Sequence, residues 1–462
     1  MGRLVIVSNR VMLPGARPGR AGGLAIALRD ALRVRGGLWF GWSGETAETT
    51  STAPRVAHSG RIQYATVDLG TADHERYYNG FSNGTLWPLL HYRLGLIEFR
   101  REDLEAYLRV NEAFAEALLR LLRPDDSIWI HDYHLIPLAA SLRSRGVAGR
   151  IGLFLHTPFP PPSVFAALPR CEILVNAFAA YDLIGLQTES DRVHLRGVIA
   201  RHRDAAITPE GDVDLGARRL LVRALPIGID ARAVADMAES MSRGPEARRL
   251  TDSLAGRDLI IGVDRLDYSK GLPQRFEAYE RLLADFPEHR SNVTFMQIAP
   301  VSRGEVRQYR ELRRDLDRRA GRINGKFAEF DWIPLRYLNR GFGRHVLAGF
   351  YRRARVGLVT PLRDGMNLVA KEWVAAQDPE NPGALVLSRF AGAAHELADA
   401  LLVNPLDADA MAEALHRALT LSHFERLERW QSMMQAVAGN TAAVWQGAFL
   451  SLLEDAAATV PA

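Results

Sequence analysis

LIIGVDRLDYSKGLPQRFEAYERLLADFPEHRSNVTFMQIA, residues 259–299, carries two apolar runs with a helical stretch between them. LIIGVDR at 259–265 and VTFMQIA at 293–299 are near-continuous Val/Ile/Leu segments. Such runs are expected of parallel strands covered on both faces. The intervening stretch, 271–285, has helical periodicity. Working outward, the same alternation recurs. LVIVS at 4–8, IWIH at 128–131, IGLFLH at 151–156, LIGLQT at 183–188, VGLVT at 356–360 and ALVLS at 384–388 read as further strands. Helical stretches fall at 102–122, 134–145, 303–320 and 408–439. Alternating strand and helix predicts an α/β protein with parallel sheets.

The strands come in two sets, with a seam at PIGID, 226–230. We therefore expect two Rossmann-like, doubly wound domains facing a central cleft, 1–228 and 229–445. A C-terminal helix, 446–462, is expected to pack back on the first. Ligands of such sheets bind beyond the carboxyl ends of the strands.

Composition excludes several classes. The 462 residues are 47% hydrophobic and 24% charged, close to an average soluble globular protein. No run of 18 apolar residues predicts a membrane span. The opening apolar run is too short for a signal-peptide core. Cys171, the one cysteine, cannot form an internal disulfide, so a reduced, cytoplasmic protein is expected. The formal net charge of +4 is weak, and acids interleave with bases, as in RRDLDRR at 313–319. A nucleic-acid footprint would be a one-signed stripe, so no nucleic-acid partner is expected. Of the 58 basic residues three are lysine, Lys270, Lys326 and Lys371, and 55 are arginine. Positions that keep lysine against that bias are candidates for needing a compact point charge.

Candidate chemistry follows the strand ends. SNR at 8–10 ends the first strand, and AGGLAIAL at 21–28 places Gly22 and Gly23 before a helix, where backbone can approach a ligand. In HDYH, His131, Asp132 and His134 have the residue types of metal ligands. Zinc would need further ligands at defined spacing, and a carboxylate bonding a hydroxylated substrate is equally economical. His156 ends IGLFLH and reads either as a core histidine or as a site residue. Arg265 and Lys270, in VDRLDYSKG, are two cations suited to a diphosphate. Arg303 repeats that placement in SRG, 302–304. In PLRDGMNLVAKE, 361–372, Asp364 and Gly365 form a turn. Asp364 reads either as an N-cap or as a ligand group. The following helix offers its first amides to a phosphate, and Glu372, one turn after Leu368, can accept ribose hydroxyls. Tyr77, Tyr78, Phe81 and Trp87, amid Asn, Ser and Gly at 76–88, predict a loop. A Trp there suits a sugar platform as well as a core.

Together these strings resemble glycosyltransferase family 20, the retaining trehalose-6-phosphate synthases of GT-B fold. The resemblance runs from SNR to about residue 445 and includes GGLWFGWSGE, YYNGFSN, LWPLLHYR, WIHDYHL, FLHTPFP, PIGID, RLDYSKGLP, QIAPVSRG, GRINGK, TPLRDGMNLVAKE and NPGALVLS. It implies transfer of glucose from UDP-glucose to glucose 6-phosphate, giving α,α-trehalose 6-phosphate and UDP, without a protein nucleophile, a metal or a cofactor.

Position by position, the resemblance gives the acceptor to Arg10, Tyr78, Trp87, Asp132 and Arg303. Gly22 and Gly23 match the loop over the donor, and Arg265 with Lys270 the diphosphate pair. His156 and Asp364 match groups on the donor glucose, and Phe342 a backbone contact to uracil. Leu368, Val369, Ala370, Lys371 and Glu372 match the diphosphate amides and the ribose carboxylate. Arg265, Lys270, His156 and Asp364 form the catalytic set. Trp87 and Thr157 fall where the family selects the acceptor anomer, although some relatives carry Ile at the latter. Family members differ among UDP-, ADP- and GDP-glucose. The resemblance further implies a homodimer or homotetramer, and a separate trehalose-6-phosphate phosphatase in the pathway. The alternatives are a related transferase with another acceptor, of the glucosylglycerol-phosphate or cyclitol type, and a non-catalytic sugar-phosphate sensor. The intact acceptor set stands against the first, and the complete donor motifs against the second.

Overall fold

The computed structural model describes residues 2–14, 23–216, 218–304 and 306–456. The chain divides into two units, one holding the residues up to Pro226 with the last helix, the other Ile227–Ala442.

The first unit is built on β1 (Leu4–Arg10), β2 (Gly37–Ala47), β3 (Arg55–Ser59), β4 (Ile62–Gly70), β5 (Ser127–His131), β6 (Ile151–Phe154), β7 (Leu183–Leu186), β8 (Ala206–Ile207), β9 (Val213–Asp214) and β10 (Arg219–Ala224). Their order is β3-β4-β2-β1-β5-β6-β7-β10-β9-β8. The pairs from β4 through β10 are parallel; β3 on β4 and the β8–β9–β10 margin are antiparallel. Every residue of β5, β6 and β7 is buried, as strands covered on both faces require. The chain leaves β1 toward β2 on one side and later returns to β5 on the other, so the topological switch lies between β1 and β5.

The second unit holds β11 (Asp258–Val263), β12 (Val293–Ile298), β13 (Leu335–Leu338), β14 (Val356–Val359), β15 (Ala384–Ser388) and β16 (Leu401–Val403). All its pairs are parallel, in the order β13-β12-β11-β14-β15-β16. Its switch lies between β11 and β14.

Several expectations need correction. Residues 76–88 are not a loop: His74–Leu86 is a wide, π-type helical segment that runs into the short helix Trp87–Leu90. The aromatics drive this. Tyr77 and Phe81 are buried against Tyr107, with ring centroids 5.9 and 4.7 Å away. The stretch 134–145 is a 3-10 turn, Tyr133–Leu135, and a short helix, Leu138–Arg143, with Pro137 between them. The stretch 408–439 is two helices, Ala408–Thr420 and His423–Gly439, because Ser422 caps the second through the amide of Glu425. The helix expected from 303 begins at Arg307 and continues to Phe327.

The last helix, Ala442–Ala456, begins four residues before the expected 446. Its Phe449 stacks on Trp129 of β5 at 4.5 Å, and Trp445 lies 5.0 Å from the same ring. Gly152 on β6 admits this helix, since a Cβ there would fall 2.7 Å from the Phe449 ring.

Candidate active site

In the first unit the side chains gather at the carboxyl ends of β1, β5 and β6, beside the switch. Arg10, exposed at the end of β1, lies over the Trp42 ring at 5.7 Å. Gly44 makes this possible: with φ +97° it is in glycine's region, and a Cβ there would meet the guanidinium at 2.5 Å. Tyr78 is sandwiched between His74 at 5.3 Å and His134 at 5.8 Å, both nearly parallel to it. Trp87 is buried on His91, with centroids 4.0 Å apart. The helical segment 74–86 thus brings Tyr78 and Trp87 to the strand ends.

Asp132, just past β5, has φ +74°, and its carboxylate accepts from the amides of Tyr133 at 3.2 Å and His156 at 3.4 Å. HDYH does not converge as a metal centre. His134 stacks on Tyr78, whereas His131 Nδ1 lies 3.2 Å from His156 Nε2. Gln187 Nε2 lies 3.3 Å from His156 Nδ1, so Gln187, His156 and His131 form a buried chain. Burial holds His156 down at about 3 and His131 well below the usual range, the latter helped by the facing His156. Both are neutral at pH 7. Thr157 is buried, and its hydroxyl has no hydrogen-bond partner among the described residues.

In the second unit, the segments after β11, β12 and β14 carry the charges. Lys270 donates to Asp364 at 2.5 Å, and Asn367 Nδ2 donates to the same carboxylate at 3.0 Å. Asp364 is therefore not the helix cap. Asn367, at φ +76°, caps Leu368–Ala376 by accepting from the amide of Ala370. The Lys270 turn is held from below by Arg275, which is fully buried and bonds Asp264, Thr360, Gln297 and the Lys270 carbonyl.

Arg303 donates to the Tyr309 hydroxyl at 2.7 Å and pairs with Asp267 at 3.5 Å. Tyr309 in turn donates to Asp267 at 3.0 Å. Burial alone would raise the Asp267 carboxyl; Arg303, Arg265 and Lys270 outweigh it and hold the group at about 2. Asp267 is thus the fixed anion around which these cations collect. Arg265 itself is exposed. Glu372 pairs with Arg344 at 3.1 Å; burial raises its carboxyl against that charge. Phe342 packs on Phe350 with centroids 5.5 Å apart.

The Lys371 side chain turns inward. It is fully buried, donating to the Ile227 carbonyl at 2.8 Å and to Glu396 at 2.7 Å. Lys326 is a surface residue paired with Glu280 at 3.3 Å. Gly23 opens the helix Gly23–Arg35, and Gly22 lies outside the described residues.

Sequence reading missed Asp267, Tyr309, Arg275, Arg344, Asn367 and Gln187. Asp267 and Asn367 stand inside motifs already singled out. Arg344 and Tyr309 carry no local signal, since what they hold lies 28 and 42 residues away.

Two α/β units built on largely parallel sheets, with cations and helix N-termini at their strand ends, fit the GT-B class of nucleotide-sugar transferases. Residues 16–455 match glycosyltransferase family 20, and the chain belongs to that family. It is 49% identical over 454 residues to a trehalose-6-phosphate synthase of Cronobacter sakazakii, covering 98% of this chain and 95% of the relative. An α,α-trehalose-phosphate synthase (UDP-forming) from Burkholderia xenovorans, solved in complex with glucose-6-phosphate, superposes with a TM-score of 0.94. It is 48% identical, and 98% of this chain and 100% of that one are covered. An E. coli structure described as bound with UDP-2-fluoro glucose is 47% identical with a TM-score of 0.94, covering all of both chains.

Proposed function

We infer that this chain is a retaining glucosyltransferase that moves glucose from UDP-glucose to glucose 6-phosphate, giving α,α-trehalose 6-phosphate and UDP. The observation that carries the reading is the Lys270–Asp364–Asn367 cluster beside Arg265 and the N-terminus of Leu368–Ala376. Cations and helix amides at one switch point suit a diphosphate leaving group.

In this reading Arg265, Lys270 and the amides from Leu368 through Ala370 stabilise charge growing on the departing UDP. The UDP oxygen accepts the proton of the acceptor hydroxyl as the new glycosidic bond forms on the same face. No protein carboxylate need act as nucleophile, unlike the paired acids of most glycosidases. Asp364 and His156 hold the donor glucose. His156, neutral, serves as a hydrogen-bonding group and not as a proton store. Glu372 takes the ribose and the Phe342 backbone the uracil. Arg10, Tyr78, Trp87, Asp132 and Arg303 take glucose 6-phosphate, with arginines suited to a forked grip on phosphate. Trp87 and Thr157 select the acceptor anomer. Gly22 and Gly23 are assigned to the donor.

Among the described residues no helix is long and apolar enough to cross a membrane. A cytoplasmic homodimer or homotetramer completes the proposal. The product keeps its phosphate, so the proposal places a trehalose-6-phosphate phosphatase after this step. The test is UDP release from UDP-glucose with and without glucose 6-phosphate. Release that depends on the acceptor is expected; no release with both substrates present overturns the proposal.

A further inference from the structure

We propose that Glu288, His289 and His416 form a binding site for a divalent first-row metal ion of the zinc type, separate from the transferase residues. The turn Pro287–His289 follows the helix Leu272–Asp285, and His416 stands on the helix Ala408–Thr420. His289 Nε2 lies 3.0 Å from His416 Nδ1, and His416 Nδ1 lies 3.6 Å from Glu288 Oε1. The three potential ligand atoms all fall within 4.8 Å of one another.

These separations fit the chemistry. Imidazole nitrogen and carboxylate oxygen bind zinc at about 2.0–2.2 Å, which sets tetrahedral ligands roughly 3.3 Å apart. The separations of 3.0 and 3.6 Å bracket that figure. Two imidazoles facing nitrogen to nitrogen share one proton, and an ion bonded to both nitrogens, sitting off the line between them, displaces it. A set of two nitrogens and one carboxylate oxygen leaves the fourth position to water, and imidazole with carboxylate suits zinc, copper or nickel more than calcium.

The two imidazoles are also held in place before the ion arrives. The His416 ring stacks on Phe286 at 4.2 Å and 13°, and His289 is buried. Glu288 is exposed, so it can swing onto an ion at little cost. The cluster precedes β12, at the amino-terminal edge of the sheet, whereas the transferase residues follow the strands' carboxyl ends. Its occupant would clamp the helix Ala408–Thr420 to the turn and would not touch the reaction.

The test is calorimetric titration of the EDTA-treated, dialysed protein with zinc chloride, and with cobalt chloride followed by visible absorption. One equivalent bound with a tetrahedral cobalt spectrum is expected. Glu288→Gln should weaken zinc roughly tenfold and His416→Phe, which keeps the stacking, by that much or more. Glu288→Gln is at the surface and should leave transferase turnover unchanged. No binding by the wild-type chain overturns the site, and so does binding of unchanged affinity by both variants. Zinc should also raise the melting temperature of the wild type but not of His416→Phe; an equal rise in both counts against it.

Discussion

In the proposed reaction, Lys270 is the residue on which the donor half turns. Its ammonium lies 2.5 Å from Asp364 while its carbonyl is held by Arg275. A single compact charge fills that buried corner, and a planar fork would need space that Asp364 occupies. Lys270→Ala should lower turnover by roughly 10²–10³, the effect of losing one donor to a developing negative charge. Lys270→Arg should also be impaired. Steady-state kinetics at saturating substrates check both, and unchanged turnover in Lys270→Ala would remove the role. The two other lysines have different reasons to exist: Lys371 is a buried strut to Glu396 and Lys326 a surface pair. Of the three lysines, then, one has a chemical role in the proposed reaction and two have structural contacts. On the acceptor side, Arg303→Ala should raise the KM for glucose 6-phosphate more than that for UDP-glucose. An unchanged acceptor KM and rate would contradict that assignment. His131 and His156 offer a titration test. Both take protons near 6.5 when unfolded but only far below that when folded, His156 at about 3. From about pH 6.5 downward the unfolded chain binds more protons than the folded one, so stability is full above 6.5 and falls as pH falls. Denaturant midpoints at pH 7.5 and 5.5 should differ less in His131→Gln than in the wild type.

At the scale of single elements, continuous apolar runs were readable as strands because burial on both faces leaves no room for polar residues. Eight such runs became β1, β5, β6, β7, β11, β12, β14 and β15. The segment 74–86 was not readable, because its Gly and Asn residues signal a loop while Tyr77 and Phe81 find their partner, Tyr107, 30 and 26 residues away. The helix Leu368–Ala376 shows a subtler limit. Sequence offered Asp364 as its cap, but Asn367 takes that place with a left-handed backbone, freeing Asp364 for Lys270. Asn367→Ala removes the cap, at about 1 kcal/mol, and replaces a residue whose polar side chain supports the left-handed backbone with one that gives it no such support. A melt should show the combined loss, and the KM for UDP-glucose should rise because Asp364 loses a donor. Wild-type stability in this variant would contradict the capping role.

For the molecule as a whole, two sheets with two switch points explain why the proposed site residues are scattered along the chain from Arg10 to Glu372. Each lies at a strand's carboxyl end, just after it or on the helix beyond it. That logic was legible from sequence, and so were the long motifs. The supports were not: Asp267 and Tyr309 behind Arg303, and Arg344 beside Glu372, act through space and leave no spacing to read. The last helix is a structural part of the first unit, since Trp445 and Phe449 close over Trp129. The most direct test of the central claim is the identity of the product. Carbon-13 UDP-glucose and glucose 6-phosphate, incubated with the protein and followed by NMR, should yield a 1,1-linked disaccharide 6-phosphate with both anomeric centres α. Free glucose, a β-linked disaccharide or no product at all would contradict it.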